Sequence, residues 1–466
     1  MAIEEIRRFF EPNSVAVVGA SRDPEKFGSM ILTNLQRLGY TGKLFAVNPY
    51  TTEILGIQSF PSVAAIPEKL DVAIIAVPAT RVPQIMRDCA QKEVKNAIII
   101  SSGFNEAGEV GQETLKETLK IAHEAGIRIL GPNTTGIFNM RSRFTTTWAP
   151  LPIESKSGPV AFIAQTGMFS AAMLHYIFTA EHFGISKVAG LGNKSDVDET
   201  DILEYLYRDE DTRAVMIYME GIQHGRRFLQ AARTFTHKKP IVLLKGGRTP
   251  AGAKAALSHT GSRAGQSSLV DALFKASGII SAKNLEEMVD FAKILAYQPL
   301  PKGNRVGIAS MSGGAAVMAS DTVVENGLVV AGVDLECMSH IQKLFPEWAV
   351  LTHPIDLEPL MEKVGPDESY RLGLETLLNN PSVDMCLLVI IMFPDDKGNL
   401  ISTLAPLLRN IDKPVAVSLI GAKQQCEIMG TQLEEMKIPT YLMVSRAAKS
   451  LVALSHYARL RMANSS

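Results

Sequence analysis

The 466-residue chain has little cysteine, and its cysteines form no recognisable pattern. Only four occur, Cys89, Cys337, Cys386 and Cys426, and they form neither a CxxC motif nor a cluster with histidine. Their spacing argues against a disulfide framework and against a zinc site. We therefore expect a protein of the reducing cytoplasm whose site residues hold no metal.

Long hydrophobic runs and a large net charge are also missing. The apolar segment 384–393 is typical of those present, and it falls short of the roughly 18 residues that a membrane-spanning helix needs. The acidic start of the chain argues against a secretory signal peptide. The 47 Lys and Arg residues are balanced by 48 Asp and Glu residues. The chain therefore has no overall positive field that would attract nucleic acid or an anionic membrane, and we expect neither as a partner.

What the sequence does contain is a repeated alternation of short apolar runs with amphipathic stretches. The first runs are 15–18, 44–47, 72–77, 97–100 and 127–130. Because these runs are continuously apolar, they indicate parallel strands that helices cover on both faces. The sequence thus predicts an α/β protein with doubly wound parallel sheets, and its length is that of about three domains.

Two stretches interrupt the alternation and divide the chain. Residues 139–158 are rich in Thr, Ser and Pro, and residues 296–303 form a Pro/Gly connector. The expected domains are one Rossmann-like domain, 1–138, and two flavodoxin-like domains, 150–297 and 303–466. The last two open alike, with Gly167 matching Gly313 at an offset of 146 residues, which indicates a duplicated unit.

Each of these openings places a hydroxyl residue and a glycine between a strand and a helix. In the second domain this turn is Thr166-Gly167, with Gln165 before it and Met168 after it. Free backbone N–H groups and the helix dipole favour an anion at such a turn. An ordinary βα turn without a ligand is the alternative, and the sequence leaves both interpretations open.

The first strand runs into a glycine-rich turn where doubly wound folds hold phosphates. The turn contains Gly19, Ser21, Arg22 and Lys26 but no GxGxxG motif. The next strand ends at Asn48, where NAD enzymes carry an acidic residue for the ribose hydroxyls. A nicotinamide oxidoreductase is therefore disfavoured, and the turn suits a ligand richer in phosphate. A merely solvated Lys26 is the alternative for that residue.

Two later strand ends belong to the same expected edge. They provide Pro78 and the segment Ser102, Gly103 and Phe104. The carboxyl ends of parallel strands line the ligand crevice of this fold class, so we expect one ligand to lie across them.

One of the nine histidines has an unusual setting. His259 lies in segment 246–265, which is rich in small and hydroxyl residues and which we expect to be a long loop after a strand ending at Lys245. Long loops in compact domains are disproportionately functional. A neutral imidazole is a good nucleophile, so His259 is the candidate to carry a phosphoryl group. Glu220, after a predicted strand, is the candidate carboxylate partner, and an exposed strand-end glutamate is the alternative.

Together these motifs resemble the α subunit of ADP-forming acetyl-CoA (acyl-CoA) synthetases, relatives of the succinyl-CoA synthetase α subunit. The resemblance covers nearly the whole chain. Its motifs are Val-Val-Gly-Ala-Ser-Arg-Asp-Pro (17–24), Ser-Gly-Phe (102–104), Gly-Pro-Asn (131–133), Gly-Asn-Lys-Ser-Asp (192–196), Lys-Gly-Gly-Arg-Thr (245–249) and Ser-His-Thr-Gly-Ser (258–262). The last is the most specific.

The resemblance implies a CoA-binding domain, two flavodoxin-like domains and a reaction in three stages. Phosphate attacks an acyl-CoA thioester, the acyl phosphate phosphorylates His259, and the phosphohistidine passes its phosphoryl group to ADP. The analogy implies that Glu220 steadies the phosphohistidine. The residues implied to face phosphate and the acyl group are Gln165, Thr166, Gly167, Met168, Gly192 and Asn193.

The resemblance also indicates what is missing. No Walker-type loop occurs, and three domains leave no room for the family's ATP-grasp fold. ADP or ATP and Mg²⁺ are therefore expected on an ATP-grasp β subunit, in an α2β2 heterotetramer. The acyl group, the direction in the cell and the choice between ADP and GDP stay open. A CoA-binding or CoA-sensing protein without turnover is the alternative function.

Three positions depart from the family's pattern. Tyr50 stands where relatives often have a lysine that contacts a CoA phosphate, Thr134 where they often have cysteine, and Thr166 where they usually have serine. The first puts one phosphate contact in question, whereas the third retains a hydroxyl.

Overall fold

The computed structural model describes residues 3–152, 155–260, 267–332, 338–395, 399–409 and 411–463, without the side chains of 168–170, 257–260 and 267–269. The chain forms two compact units. They are unit 1, Met1–Lys283, and unit 2, Asn284–Ser466. The three expected domain boundaries stay a prediction beside this division.

Unit 1 contains two sheets. Its strands are β1 (Ser14–Val18), β2 (Lys43–Val47), β3 (Glu53–Ile54), β4 (Ile57–Phe60), β5 (Val72–Ile75), β6 (Asn96–Ile99), β7 (Arg128–Leu130), β8 (Ile137–Asn139), β9 (Phe144–Thr145), β10 (Ser157–Ala164), β11 (Ile185–Gly190), β12 (Ala214–Met219), β13 (Ile241–Lys245) and β14 (Ile280–Ala282). Its α-helices are α1 (Ile3–Phe10), α2 (Phe27–Leu38), α3 (Val82–Gln91), α4 (Gly108–Ala125), α5 (Gly167–Tyr176), α6 (Glu199–Arg208), α7 (Gly225–Thr236), α8 (Pro250–Thr260) and α9 (Ser267–Ala276).

Unit 2 contains one sheet. Its strands are β15 (Arg305–Ser310), β16 (Val329–Val330), β17 (Ile355–Asp356), β18 (Met385–Met392), β19 (Val415–Gly421) and β20 (Thr440–Tyr441). Its α-helices are α10 (Leu285–Tyr297), α11 (Gly313–Glu325), α12 (Ser339–Gln342), α13 (Glu358–Val364), α14 (Pro366–Asn379), α15 (Leu400–Leu408), α16 (Lys423–Glu435) and α17 (Val444–Ala463). Helix α10, which the sequence-based division assigned to the second domain, belongs to this unit.

The first sheet has the strand order β3-β4-β2-β1-β5-β6-β7, in which only β3 and β4 pair antiparallel among the described strands. From β4 to β7 this is the Rossmann order 3-2-1-4-5-6, which reverses direction between β1 and β5. Strands β1, β5 and β6 are buried along their whole length. Their unbroken apolar runs follow from the helices that cover both faces.

The second sheet has the order β14-β13-β12-β10-β11-β8-β9. Its parallel part, from β14 to β11, is the flavodoxin order 2-1-3-4-5 and reverses between β10 and β12. Strand β8 pairs antiparallel with β11 and with β9. Strand β9 lies within residues 139–158, which the composition had indicated as a linker. Threonine suits a strand there because it is β-branched and because Thr146 Oγ1 accepts the Ile137 N–H at 2.8 Å.

The sheet of unit 2 repeats the flavodoxin order as β16-β15-β18-β19-β20, and β17 also pairs with β15. Helices α5 and α11 begin at Gly167 and Gly313, the two glycines that the sequence aligned. The predicted doubly wound α/β fold is therefore confirmed, with three mainly parallel sheets. Within the described residues, no helix has the length and apolar character needed to cross a membrane.

Candidate active site

The strand order of the first sheet changes direction between β1 and β5, and the turn that follows β1 there leaves no space for side chains. Gly19 follows β1 with φ +91°, and a Cβ on it would lie 2.3 Å from the Ala76 carbonyl oxygen. A Cβ on Gly28, in α2, would lie 2.5 Å from the Gly19 carbonyl oxygen. The backbone of the turn is thus packed between β5 and α2, at the point where this fold class binds ligands.

The other residues expected in this turn lie beside it. Ser21 Oγ accepts the Asp23 N–H at 3.1 Å, and Lys26 precedes α2 without capping it through its side chain. The first N–H groups of α2 therefore keep their capacity to bind an anion. Arg22 Nη2 donates to Thr51 Oγ1 at 2.7 Å, which holds the guanidinium at the end of the neighbouring strand.

Asn48 locks the same turn from β2. Its Nδ2 donates to the Ala20 carbonyl oxygen at 2.7 Å, and its Oδ1 accepts the Tyr50 N–H at 2.8 Å. An ionised aspartate could not donate the first of these bonds. The amide at position 48 is therefore used to hold the turn after β1, which agrees with the argument against a nicotinamide ribose. Tyr50 itself is 88% exposed.

The strand ends after β5 and β6 complete this edge. Pro78 leads into a 3-10 turn, Ala79–Arg81. Gly103 has φ +102°, and a Cβ on it would lie 3.3 Å from the Ala79 Cβ, which is a tight contact. Ser102 is exposed, whereas Phe104 is fully buried. Phe104 thus belongs to the core, and Ser102 and Gly103 are the members of this segment that solvent reaches.

Glu106, which sequence reasoning missed, connects this edge to the second sheet. Its Oε1 accepts the Gly103 N–H at 2.7 Å, and its Oε2 accepts a bond from Asn193 Nδ2 at 3.1 Å. Burial raises the pKa of Glu106, but hydrogen bonds from its own backbone and from Gly103 outweigh it and lower the pKa. The only sequence signal was a carboxylate two residues after the Ser-Gly-Phe motif.

Gln165 and Glu220 meet where the second sheet reverses direction. Gln165 follows β10 and is 3% exposed, and its Oε1 accepts the N–H groups of Glu220 at 2.7 Å and Gly221 at 3.1 Å. The side chain of one strand end thus fixes the backbone of the next. Glu220 is 6% exposed, so the alternative of an exposed strand-end glutamate is wrong.

Tyr218 and Lys245 surround Glu220. Tyr218 Oη donates to Glu220 Oε1 at 3.2 Å, and burial, together with the Glu220 charge, raises the pKa of Tyr218 to about 12. Lys245 Nζ donates to the Glu220 carbonyl oxygen at 2.7 Å, and burial lowers the pKa of this lysine. A Cβ on Gly246 would lie 3.2 Å from Glu220 Cγ, so glycine lets β13 approach the carboxylate.

Lys194 ties the turn of Gly192 and Asn193 to the same strand end. Its Nζ donates to the Gly221 carbonyl oxygen at 2.7 Å and pairs with Glu199 at 3.0 Å, with both charged groups buried. Burial raises the pKa of Glu199. Gly192 has φ +58°, and a Cβ there would lie 2.3 Å from the Pro132 carbonyl oxygen. Lys194 and Lys245 both lie inside motifs quoted above, where sequence reasoning gave them no role.

The predicted anion turn at the start of α5 has the expected shape. Thr166 is the N-cap residue of α5 in extended conformation, and its side chain does not cap the helix. A Cβ on Gly167 would lie 2.9 Å from the Thr135 nitrogen. Thr135 Oγ1 donates to the Gly167 carbonyl oxygen at 3.3 Å, whereas Thr134, one of the departures from the family pattern, donates to the Gly190 carbonyl oxygen at the end of β11 at 2.6 Å. The Met168 side chain lies outside the described residues.

The segment with His259 is not the loop that its composition predicted. Helix α8 covers residues 250–260, because alanines dominate its first turns and Thr249 caps it by accepting the Gly252 N–H at 3.1 Å. Gly247, at φ +70°, lets the helix approach, and a Cβ on it would lie 3.5 Å from the Ala256 Cβ. His259 thus lies near the end of a helix that follows β13. Its side chain, and residues 261–266, lie outside the described residues.

Among the described residues, no group of three or more His, Cys, Asp or Glu side chains could hold a metal ion. What the described residues assemble instead is an edge on which a helix start, a strand-end amide, one buried lysine and one half-buried lysine lie around the strand end of a buried carboxylate. Such an edge suits anionic ligands.

Comparison with known proteins identifies the three parts of the chain. Family models match at residues 13–140, a CoA binding domain, at 157–295, a succinyl-CoA ligase like flavodoxin domain, and at 306–465, a ligase-CoA domain. The chain is 39% identical to the ADP-forming acetate–CoA ligase II of Archaeoglobus fulgidus, over 99% of this chain and 68% of that protein.

A second relative has the same length as this chain. The α subunit of the ADP-forming acetate–CoA ligase II of Pyrococcus furiosus is 36% identical, over 97% of both chains. Among solved structures, the dinucleotide-forming acetyl-coenzyme A synthetase 1 of Ca. Korarchaeum cryptofilum, in complex with phosphate and ADP, matches with a TM-score of 0.91 and 36% identity, over 98% of this chain and 97% of that one.

Proposed function

Because this chain belongs to the family of ADP-forming acetate–CoA ligases, we propose that it is the α subunit of an ADP-forming acyl-CoA synthetase. The proposed reaction is acyl-CoA + ADP + phosphate ⇌ carboxylic acid + CoA + ATP, by way of an acyl phosphate and a phosphohistidine at His259. The observation that supports it best is the hydrogen-bonded arrangement of buried Gln165 and Glu220 with half-buried Lys245 at the switch in strand order of the second sheet, where the strand ending at Lys245 leads into the helix that carries His259.

In this proposal Glu220 is the carboxylate that accepts the imidazole N–H of the phosphorylated histidine. Such a bond fixes the tautomer and stabilises the positive charge that the ring gains. Gln165 holds the Glu220 and Gly221 amides and Tyr218 holds the carboxylate, so the group is oriented before the reaction. A preorganised acceptor needs no reorganisation when charge develops, and this is where most electrostatic catalysis originates.

Phosphate and the acyl group are proposed to bind between Gln165-Thr166-Gly167-Met168 and the turn of Gly192 and Asn193. The start of α5 supplies N–H groups for an anion. Lys245 places an ammonium group behind the Glu220 strand end, which offsets the charge of the carboxylate as an anion approaches. The Lys194 charge is already paired with Glu199, so Lys194 contributes by holding the Gly221 carbonyl.

CoA is proposed to bind across the edge of the first sheet. The glycine-packed turn at Gly19 and the uncapped start of α2 suit its phosphates, with Ser21, Arg22 and Lys26 as the polar side chains. Asn48 and Pro78 border this crevice, and exposed Ser102 with half-buried Gly103 continues it toward the second sheet, with Phe104 packed beneath them. When bound, CoA supplies the thioester carbonyl that phosphate attacks.

The nucleotide is proposed to bind elsewhere. The Pyrococcus furiosus relative is named an α subunit, and about a third of the Archaeoglobus fulgidus relative lies outside the part that this chain matches. Both facts support a partner that carries the ATP-grasp fold, ADP and Mg²⁺, in an α2β2 complex. We place the complex in the cytoplasm, where Cys89 and Cys386 stay unreactive since burial raises the pKa of each to about 12.

The test is phosphoenzyme formation by the full chain with its partner subunit. Given Mg²⁺ and ATP labelled in its γ-phosphate, this chain should acquire an acid-labile, base-stable phosphoryl group, and His259→Asn should acquire none. His353→Gln, which changes a histidine of unit 2, is the matched control and should be labelled normally. Labelling of His259→Asn would show that His259 is not the residue that carries the phosphoryl group.

A protein that only senses CoA is the competing function. CoA binding would raise the melting temperature of such a protein by mass action, as it would for the enzyme. A protein that only senses CoA would form no phosphohistidine. NAD should not raise the melting temperature in either case. An acyl-CoA panel assayed with the complex then identifies the acyl group.

A further inference from the structure

Glu106 is an exposed carboxylate beside a site proposed for anions. Within the described residues it is held by the Gly103 N–H at 2.7 Å and by Asn193 Nδ2 at 3.1 Å. Gly103 belongs to the proposed CoA edge of the first sheet, and Asn193 to the proposed phosphate and acyl turn of the second sheet. One side chain therefore joins the two halves of the proposed site.

The backbone around this carboxylate brings the same two edges together. The Asn193 N–H donates to the Pro132 carbonyl oxygen at 2.9 Å, and the Asn133 N–H donates to the Ser101 carbonyl oxygen at 2.9 Å. These bonds fix the strand ends, and neither of them involves the Asn193 side chain or the Gly103 N–H. Glu106 joins those two groups directly, because its two oxygens bind both at once.

A negative charge at this place works against phosphate and CoA by simple repulsion. Its benefit must therefore lie in geometry. Aligning a thioester with attacking phosphate depends on small distances, and a misplacement of about 1 Å can cost roughly 100-fold in rate.

We propose that Glu106 is a positioning residue that couples the CoA-side turn to the phosphate-side turn through Gly103 and Asn193. The proposal rests on the proposed function. It predicts a specific division between kinetic parameters: loss of the carboxylate lowers kcat, since alignment is lost, and does not raise KM for acyl-CoA or phosphate, since repulsion is relieved.

The experiment uses the full chain with its partner subunit and acetyl-CoA, phosphate, ADP and Mg²⁺. Glu106→Ala should lower kcat by about tenfold without raising either KM, and Glu106→Gln, which retains one acceptor, should lose less. Glu109→Gln is the matched control: Glu109 is exposed at the start of α4 and has no hydrogen-bond or ion-pair partner within the described residues. This control should keep kcat and KM within about twofold.

A double-mutant cycle completes the test. In an Asn193→Ala background, Glu106→Ala should cost less than about twofold, because the link is already broken. A full tenfold loss in that background, a rise in KM for acetyl-CoA in place of the kcat loss, or an effect no larger than that of Glu109→Gln would each overturn the proposal. The wild-type rate tests the proposed function and the variant ratios test the coupling, so the two failures are distinguishable.

Discussion

The second sheet of unit 1 and the sheet of unit 2 have the same strand order but different residues at their carboxyl edges. The two sheets can be aligned by placing Ala164 on Ser310. The strand partner of Ala164, Tyr218, then corresponds to the strand partner of Ser310, Val389, and Met219 corresponds to Ile390. The three site positions of unit 1 then have apolar counterparts. They are Gln165 against Met311, Glu220 against Ile391, and Lys245 against Leu419.

This difference separates what the fold requires from what the chemistry requires. Both sheets reverse direction between their first and third strands, so each offers the same crevice. Only unit 1 has a buried carboxylate, an amide that fixes it and a lysine at its strand end in these three places. The topology thus offers a place for a site, and the side chains decide whether one is built there.

Glu220→Gln should have the largest effect on this comparison. The amide keeps the shape but loses the charge that we propose stabilises the phosphohistidine, and we expect phosphoenzyme formation to fall about 100-fold. Its counterpart Ile391→Val should leave phosphoenzyme formation unchanged and cost about 1 kcal/mol in stability. Rapid labelling of both variants, by rate quench, would check this. Equal losses in the two units would break the comparison.

The second prediction uses His353, a partly buried histidine of unit 2. His353 Nε2 accepts the Ile308 N–H at 2.9 Å, in the stretch of β15 between its pairing with β16 and with β17. Burial lowers the pKa of His353 from 6.5 to about 4. Since the unfolded chain binds the proton first, stability falls as the pH drops below about 6.5, by about 2 kcal/mol between pH 7 and pH 5.

This prediction can be tested in the full chain with a fluorescence signal that comes from unit 2 only. The protein has two tryptophans, and Trp148→Phe leaves Trp348 as the fluorescence reporter of unit 2. Urea unfolding at pH 7 and pH 5 should show the loss, and His353→Gln, which can still accept the N–H, should reduce it by about 2 kcal/mol. An unchanged pH dependence would mean that other groups of unit 2 carry it.

Much of the parallel framework could be predicted from the sequence. The apolar runs 15–18, 44–47 and 97–100 lie within one residue of strands β1, β2 and β6 at each end, because strands buried on both faces leave a continuous apolar signal. Helix α8 was missed, because glycine, proline and hydroxyl residues around its alanines are typical of a loop. The antiparallel strand β9 was missed for the same compositional reason.

The candidate site was predictable where a residue type already indicates chemistry. The sequence offered Glu220 as a candidate, and its burial supports the proposal made for it. Glu106, Lys194 and Tyr218 were not identified, because their importance comes from hydrogen bonds to residues that only the fold brings near. A single sequence shows which residues are polar and does not show which of them meet.

A reciprocal exchange sharpens the comparison with a smaller effect. Gln165→Met gives unit 1 the residue of unit 2 and leaves the buried N–H groups of Glu220 and Gly221 without their acceptor. We expect a loss of about 1.5 kcal/mol in stability and slower phosphoenzyme formation. Met311→Gln, the reverse change in unit 2, should keep phosphoenzyme formation within about twofold. Calorimetry and rate quench on both variants measure these outcomes, and equal slowing by both would contradict a site confined to unit 1.

The smallest expected effect compares the two aligned glycines. A Cβ on Gly167 would lie 2.9 Å from the backbone nitrogen of Thr135, whereas a Cβ on Gly313 would lie 3.1 Å from Oδ2 of Asp356, a side chain that can move. Gly167→Ala must displace backbone and should cost about 1 kcal/mol. Gly313→Ala should be neutral within about 0.5 kcal/mol, because the gain in helix propensity offsets the shift of the carboxylate. Thermal unfolding of both variants measures these costs. Equal costs would mean that the tight contact between Gly167 and Thr135 does not distinguish the start of α5 from the start of α11.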